Sequence, residues 1–119
     1  MSRRDKKFGK WGEQQAVAFL RRNKFEIIET NYFTTRGEID IIAKKDDDFY
    51  FVEVKSRIKG GLDDNTAITK QKMRRMRKTA SKYCYVRDLK GVGIVFAGLM
   101  VVLDRLNRRI KFLFCVLYF

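Results

Sequence analysis

Apolar positions change their period several times along this chain, and the changes mark its elements. From Gly12 to Asn23 the residues Ala16, Phe19 and Leu20 recur at helical spacing, and Arg21-Arg22 close the last turn. Lys24 to Asn31 alternates, with Phe25 and Ile27 on one side, and predicts a first strand. Two runs rich in β-branched and aromatic residues, Arg36–Lys44 and Phe49–Arg57, flank the polar Asp46-Asp47-Asp48 and predict a β-hairpin. A polar, flexible loop spans Ile58 to Asp64, and a long basic helix follows from Thr66 to Val86, its apolar side carrying Met73, Met76, Ala80 and Tyr83. Val92–Leu103 and Ile110–Phe119, parted by a polar break at 104–109, predict a second hairpin, with Gly98 a candidate bulge. The order αβββαββ describes an α/β domain, a mixed sheet with helices packed on it. Residues 1–7 are polar and basic and predict a flexible arm ahead of a single domain at 8–119.

The first hairpin carries the chemistry. If Lys44 and Phe49 close a four-residue loop, antiparallel pairing sets Asp40 opposite Glu53 and Glu38 opposite Lys55. Those four side chains then share one face, while Ile39, Ile41, Ala43, Tyr50, Val52 and Val54 take the other. Opposed carboxylates, with Cβ atoms roughly 5 Å apart, repel and destabilise a hairpin. A hard cation with oxygen ligands is the natural compensation. Glu13 stands three, four and seven positions before Ala16, Val17 and Leu20 and shares their face. From position alone it is either a charge that needs a partner or a first-turn Glu favoured by the helix dipole. Gly9 and Gly12 would let this helix approach another element closely.

Composition narrows the chemistry. A chain of 119 residues with formal net charge +13 is one domain suited to a polyanionic partner. It contains no histidine, which excludes Ser-His-Asp and Cys-His catalysis and histidine-built metal sites. An oxygen-only site points to Mg²⁺ or Mn²⁺ rather than zinc. Cys84 and Cys115 form no paired motif and read as two buried free thiols. The absence of a signal segment and of a run near twenty apolar residues predicts a cytoplasmic protein with no membrane span.

The blocks Gly37-Glu38-Ile39-Asp40 and Val52-Glu53-Val54-Lys55-Ser56-Arg57 resemble the PD-(D/E)XK nuclease superfamily, and more specifically its YraN-like bacterial family. Gly9-Lys10-Trp11-Gly12-Glu13-Gln14-Gln15-Ala16 and Lys70-Gln71-Lys72 extend the likeness over residues 8 to 87. The resemblance implies a restriction-endonuclease-like fold and a metal-dependent DNA endonuclease, related by fold to the archaeal Holliday junction resolvases. It further implies a branched or structured DNA substrate. It places Asp40, Glu53 and a helix-borne Glu13 at the metal, with the Val54 carbonyl completing the coordination. Lys55 then orients the attacking water, unless it is only the ion-pair partner of Glu38. Gln71 matches a glutamine that related nucleases carry near the active site, though it is equally a solvent-facing helix residue.

Phosphate contacts fall to the basic helix and the strand before it: Arg57, Lys59, Lys70, Lys72, Arg74, Arg75, Lys78 and Lys82. Almost no acidic residue balances them between Lys70 and Arg87. The alternative from a different class is a non-catalytic nucleic-acid-binding module that keeps the fold and the basic surface. A ribosomal or RNA-associated protein would share the charge, but no RNA-recognition motif is present. The aromatic carboxyl-terminal run would be an aggregation hazard as an uncovered edge. It is either a central strand or the interface of a homodimer.

Overall fold

The computed structural model describes residues 3–61 and 68–117. Two helices, α1 (Arg3–Arg22) and α2 (Lys70–Val86), pack on a five-stranded sheet. Its strands are β1 (Glu26–Thr34), β2 (Gly37–Lys45), β3 (Asp48–Ile58), β4 (Gly93–Asp104) and β5 (Arg109–Leu117). The α/β class and the order αβββαββ are those the sequence predicts. Spatial order follows chain order, with β3 and β4 parallel and every other pair antiparallel.

Alternation along the strands sends successive side chains to two cores. Ile41, Ala43, Val52, Ala97, Leu99 and Val101 pack against Ala16 and Leu20 of α1. Ile42, Phe49 and Phe51 pack against Met76, Ala80 and Tyr83 of α2 on the opposite face. α2 begins where the Thr69 side chain accepts from the Lys72 N–H at 3.1 Å, an N-cap that the sequence reading missed by starting the helix at Thr66. That start, like much of the loop expected to be flexible, lies outside the described residues.

Several local expectations change. α1 begins at Arg3, so residues 3–7 are helix rather than arm, and Phe8 stacks on Trp11 with ring centroids 5.4 Å apart. Gly98 forms no bulge: it pairs in unbroken register with Glu53 on one side and Cys115 on the other. Its missing side chain instead admits Ile68, whose Cδ1 would lie 3.0 Å from a Cβ. β5 is an edge strand and not a central one. Phe112 and Phe114 pack inward, while Leu113 is 58% exposed. Neither thiol is buried, Cys84 being half-covered and Cys115 exposed. At the β4–β5 turn Asp104 accepts from Asn107 N and Nδ2 at 3.2 and 2.9 Å, and the Asn107 side chain foremost holds its carboxyl down at about 2. Among the described residues no helix is long and apolar enough to cross a membrane.

Candidate metal and phosphate site

β2 and β3 pair with the expected register, Lys44 facing Phe49 and Ile41 facing Val52. The ladder stops there. Beyond Ile41, β2 follows β1 through Tyr32↔Ile39 and Phe33↔Glu38, while β3 stays with β4, so the sheet forks. Asn31 sits at the fork in the left-handed region, φ 54°, which asparagine tolerates better than most residues. The strand alternation slips at the same point. Ile39 packs with Ile42 and Phe51 over α2 instead of joining Ile41. Asp40 and Glu53 are therefore not a facing hairpin pair, and Glu38 faces Phe33 instead of Lys55. No ion pair joins Glu38 to Lys55.

The fork is nevertheless where the carboxylates gather. Asp40 is 7% exposed, and its Oδ2 accepts the Val54 N–H at 2.8 Å, so a side chain bridges strands whose ladder has ended. Glu13, from α1, shares a hydrogen bond with Asp40 and another with Asn31. Burial, then the charge of Glu53, pushes the Asp40 carboxyl up to about 8. Burial likewise raises Glu13, although its hydrogen bond to Asp40 works against the rise. A protonated Asp40 can donate to Glu13, which accounts for two carboxyl groups in contact.

Glu53 is 4% exposed. Its Oε1 meets the Lys72 ammonium from α2, while Oε2 is buried with no hydrogen-bond partner among the described residues. Burial disfavours the Lys72 charge, but Glu53 outweighs it and the lysine pKa is raised. Around these groups lies an open cleft of about 820 Å³ lined by Lys6, Gly9, Lys10, Glu13, Asp40, Glu53, Val54 and Lys55, among others. Among the described residues no three carboxylates close into a ready cation cage. What is assembled is two buried oxygen-donor side chains, Asp40 and Glu53, and a third, Glu13, hydrogen-bonded to Asp40, rimmed by lysines.

The remaining candidates are dispersed. Gln71 is exposed on α2 and does not line the cleft. Its neighbour Lys72, read from sequence as a phosphate contact, is the residue that reaches in. Arg74, Lys78 and Lys82 line a separate shallow groove with Arg36 and Arg77, while Lys70 and Arg75 are exposed. Arg57 is half-buried, and its Nε has no hydrogen-bond partner among the described residues. Lys59 is paired with Asp104 at 3.5 Å, six residues and about 20 Å of strand beyond Glu53. The sequence reading missed Lys6 and Lys10, although they stand seven and three positions before Glu13 on its own helical face.

A profile of the uncharacterised protein family UPF0102 matches residues 12–110. A UPF0102 protein of Persephonella marina is 38% identical over 95 residues, 79% of this chain and 82% of the relative. One from Clostridium perfringens is 36% identical over 97 residues, covering 81% and 80%. One from Chloroherpeton thalassium is 35% identical over 102 residues, covering 85% and 79%.

Proposed function

Because this chain belongs to the uncharacterised protein family UPF0102, and because its cleft gathers buried carboxylates under a basic rim, we propose that it is a Mg²⁺- or Mn²⁺-dependent endonuclease acting on DNA. The observation that carries this reading is Glu53 Oε2, a buried acceptor without a partner beside a second buried carboxyl group. A buried acceptor left without a hydrogen bond is costly, and oxygen donors without histidine or thiolate suit a hard cation. Asp40 and Glu53 would hold that ion, with the Val54 carbonyl adjacent and Glu13 in reach through Asp40. When bound, such a cation lowers the pKa of a coordinated water and offsets charge on the phosphate oxygens.

The chain's own residues bind and orient. Lys55 lines the cleft beside Val54 and directs the attacking water. The water oxygen bonds to phosphorus and gives up one proton to solvent, the bond from phosphorus to one sugar oxygen breaks, and that oxygen takes up a proton from solvent. Restriction-endonuclease-like folding and a branched or structured substrate rest on the resemblance to the junction resolvases. A single-domain nuclease that includes all of α1 follows from the same reading, with the α2 cations contacting flanking phosphates.

A second reading, a nucleic-acid-binding module without catalysis, is favoured by one observation: Lys72 already supplies a cation to Glu53. Labelled linear, flap and four-way DNAs incubated with Mg²⁺, Mn²⁺ or EDTA separate the two. Cation-dependent cleavage that disappears in Glu53→Gln is the expected result. Binding without cleavage across the whole panel supports the module instead.

A further inference from the structure

Gly9 is the position of α1 that the fold leaves unexplained. Three residues on, Gly12 has an evident cause: a Cβ there would collide with the Ser56 hydroxyl. At Gly9 a Cβ would meet no described atom within 4 Å. The expected close approach of another element is absent, and the backbone is helical, a conformation that any residue adopts. Glycine in a helix interior is less favourable than alanine because the unfolded chain loses more backbone freedom. Nothing within the described residues offsets that loss.

Gly9 does, however, line the cleft that holds Asp40 and Glu53. Lys6, Gly9, Lys10 and Glu13 follow the i, i+3, i+4, i+7 spacing of one helical face, and all four line it. This face forms one wall of the cleft: two exposed lysines flank bare backbone, and the wall leads to the buried carboxylates. The unpartnered Oε2 of Glu53, nine-tenths buried, lies in the same cleft and is an independent sign that something enters it.

We propose that a nucleic-acid strand crosses α1 at Gly9, its sugar–phosphate backbone lying against the helix where no side chain projects. Lys6 and Lys10 contact phosphates on either side of that crossing, which carries the adjoining phosphate to Asp40 and Glu53. A small free anion fits poorly, because the carboxylates of Asp5, Glu13 and Glu53 line the cleft and repel it. An extended polyanion spreads its charge along the lysine rim and reaches the acidic floor at one phosphate. The inference rests on the nucleic-acid reading above and names the wall that such a ligand uses.

The test compares Gly9→Ala and Gly9→Leu with the parent in melts and in binding of labelled single-stranded and duplex oligonucleotides. Gly9→Ala should melt a few °C higher, because helix propensity improves and its Cβ meets no described atom, and Gly9→Leu should stay folded in the same melts. Affinity should fall about threefold for Gly9→Ala and at least tenfold for Gly9→Leu. Lys6→Gln with Lys10→Gln should lower the log–log salt slope by about 2. Bound DNA should also shield both lysine amines of the unaltered protein from acetylation, a measurement that needs no variant. A protein that binds DNA equally well with leucine at position 9 overturns the inference and leaves the proposed function standing. Weakened binding in a protein that cuts nothing keeps the inference and removes the nuclease. A parent that binds no nucleic acid removes both.

Discussion

Lys72 reaches across from α2 to Glu53 and occupies one carboxylate oxygen, leaving the other buried and unpartnered. The lysine thereby stands where a second cation would otherwise be needed. Lys72→Ala should leave Glu53 uncompensated and reduce cation-free stability by about 1–3 kcal/mol, less than for a fully buried pair because the lysine is partly exposed. Mn²⁺ should restore more stability to the variant than it adds to the parent. Thermal melts with and without Mn²⁺ measure both, and identical cation-free melting of variant and parent would remove Lys72 from the site.

The Asp40 carboxyl has an ordinary value of 3.8 and stands at about 8 in the folded chain. Between those values the folded state keeps a proton that the unfolded chain releases, so stability falls as pH rises from about 4 to about 8 and then levels. Asp40→Asn should flatten that decline in cation-free buffer. It should be neutral or stabilising near pH 7 and should lose the melting shift that Mn²⁺ confers. Equal Mn²⁺ shifts in variant and parent would sink the assignment.

Lys55 lines the cleft without an ion pair to Glu38, so the two roles open to it in sequence now separate. Lys55→Ala should abolish cleavage of any substrate that the parent cuts. DNA affinity should change by less than about threefold, under 1 kcal/mol. Loss of binding in parallel with cleavage would make it a docking residue.

Arg74, Arg75 and Lys78 lie on the exposed side of α2, away from Met76, Ala80 and Tyr83. Changing all three to Gln should lower the salt slope of duplex binding by about 2–3 while far-ultraviolet dichroism is unchanged. A slope like the parent's would confine phosphate contacts to the cleft wall.

The hairpin register was legible because Lys44↔Phe49 follows from the polar turn and from alternation alone. Carrying it one rung past Ile41↔Val52 to Asp40 failed, because the fork depends on Asn31, Ile39 and the approach of α1, which are tertiary facts. The carboxylates still meet, for a reason that hairpin geometry does not contain. The amino-terminal turns of α1 carry lysines and arginines in place of an apolar stripe, so periodicity gave no helical signal there. For β5 the apolar run was plain, but an edge strand packed on one face and a central strand packed on two can share such a sequence.

The carboxylate clasp at the fork also makes one backbone amide an electrical probe. Val54 N–H is held by Asp40 Oδ2 and not by a carbonyl of β2, so its exchange with solvent hydrogen is governed by a side chain. Amides in the Ile41↔Val52 ladder should exchange on the timescale of sheet opening. Val54 should instead respond to whatever alters the charge on one carboxyl group, whether a proton, a bound ion or an Asn substitution. A single resonance in the middle of the sheet would thus report the state of the cleft while its neighbours stay silent.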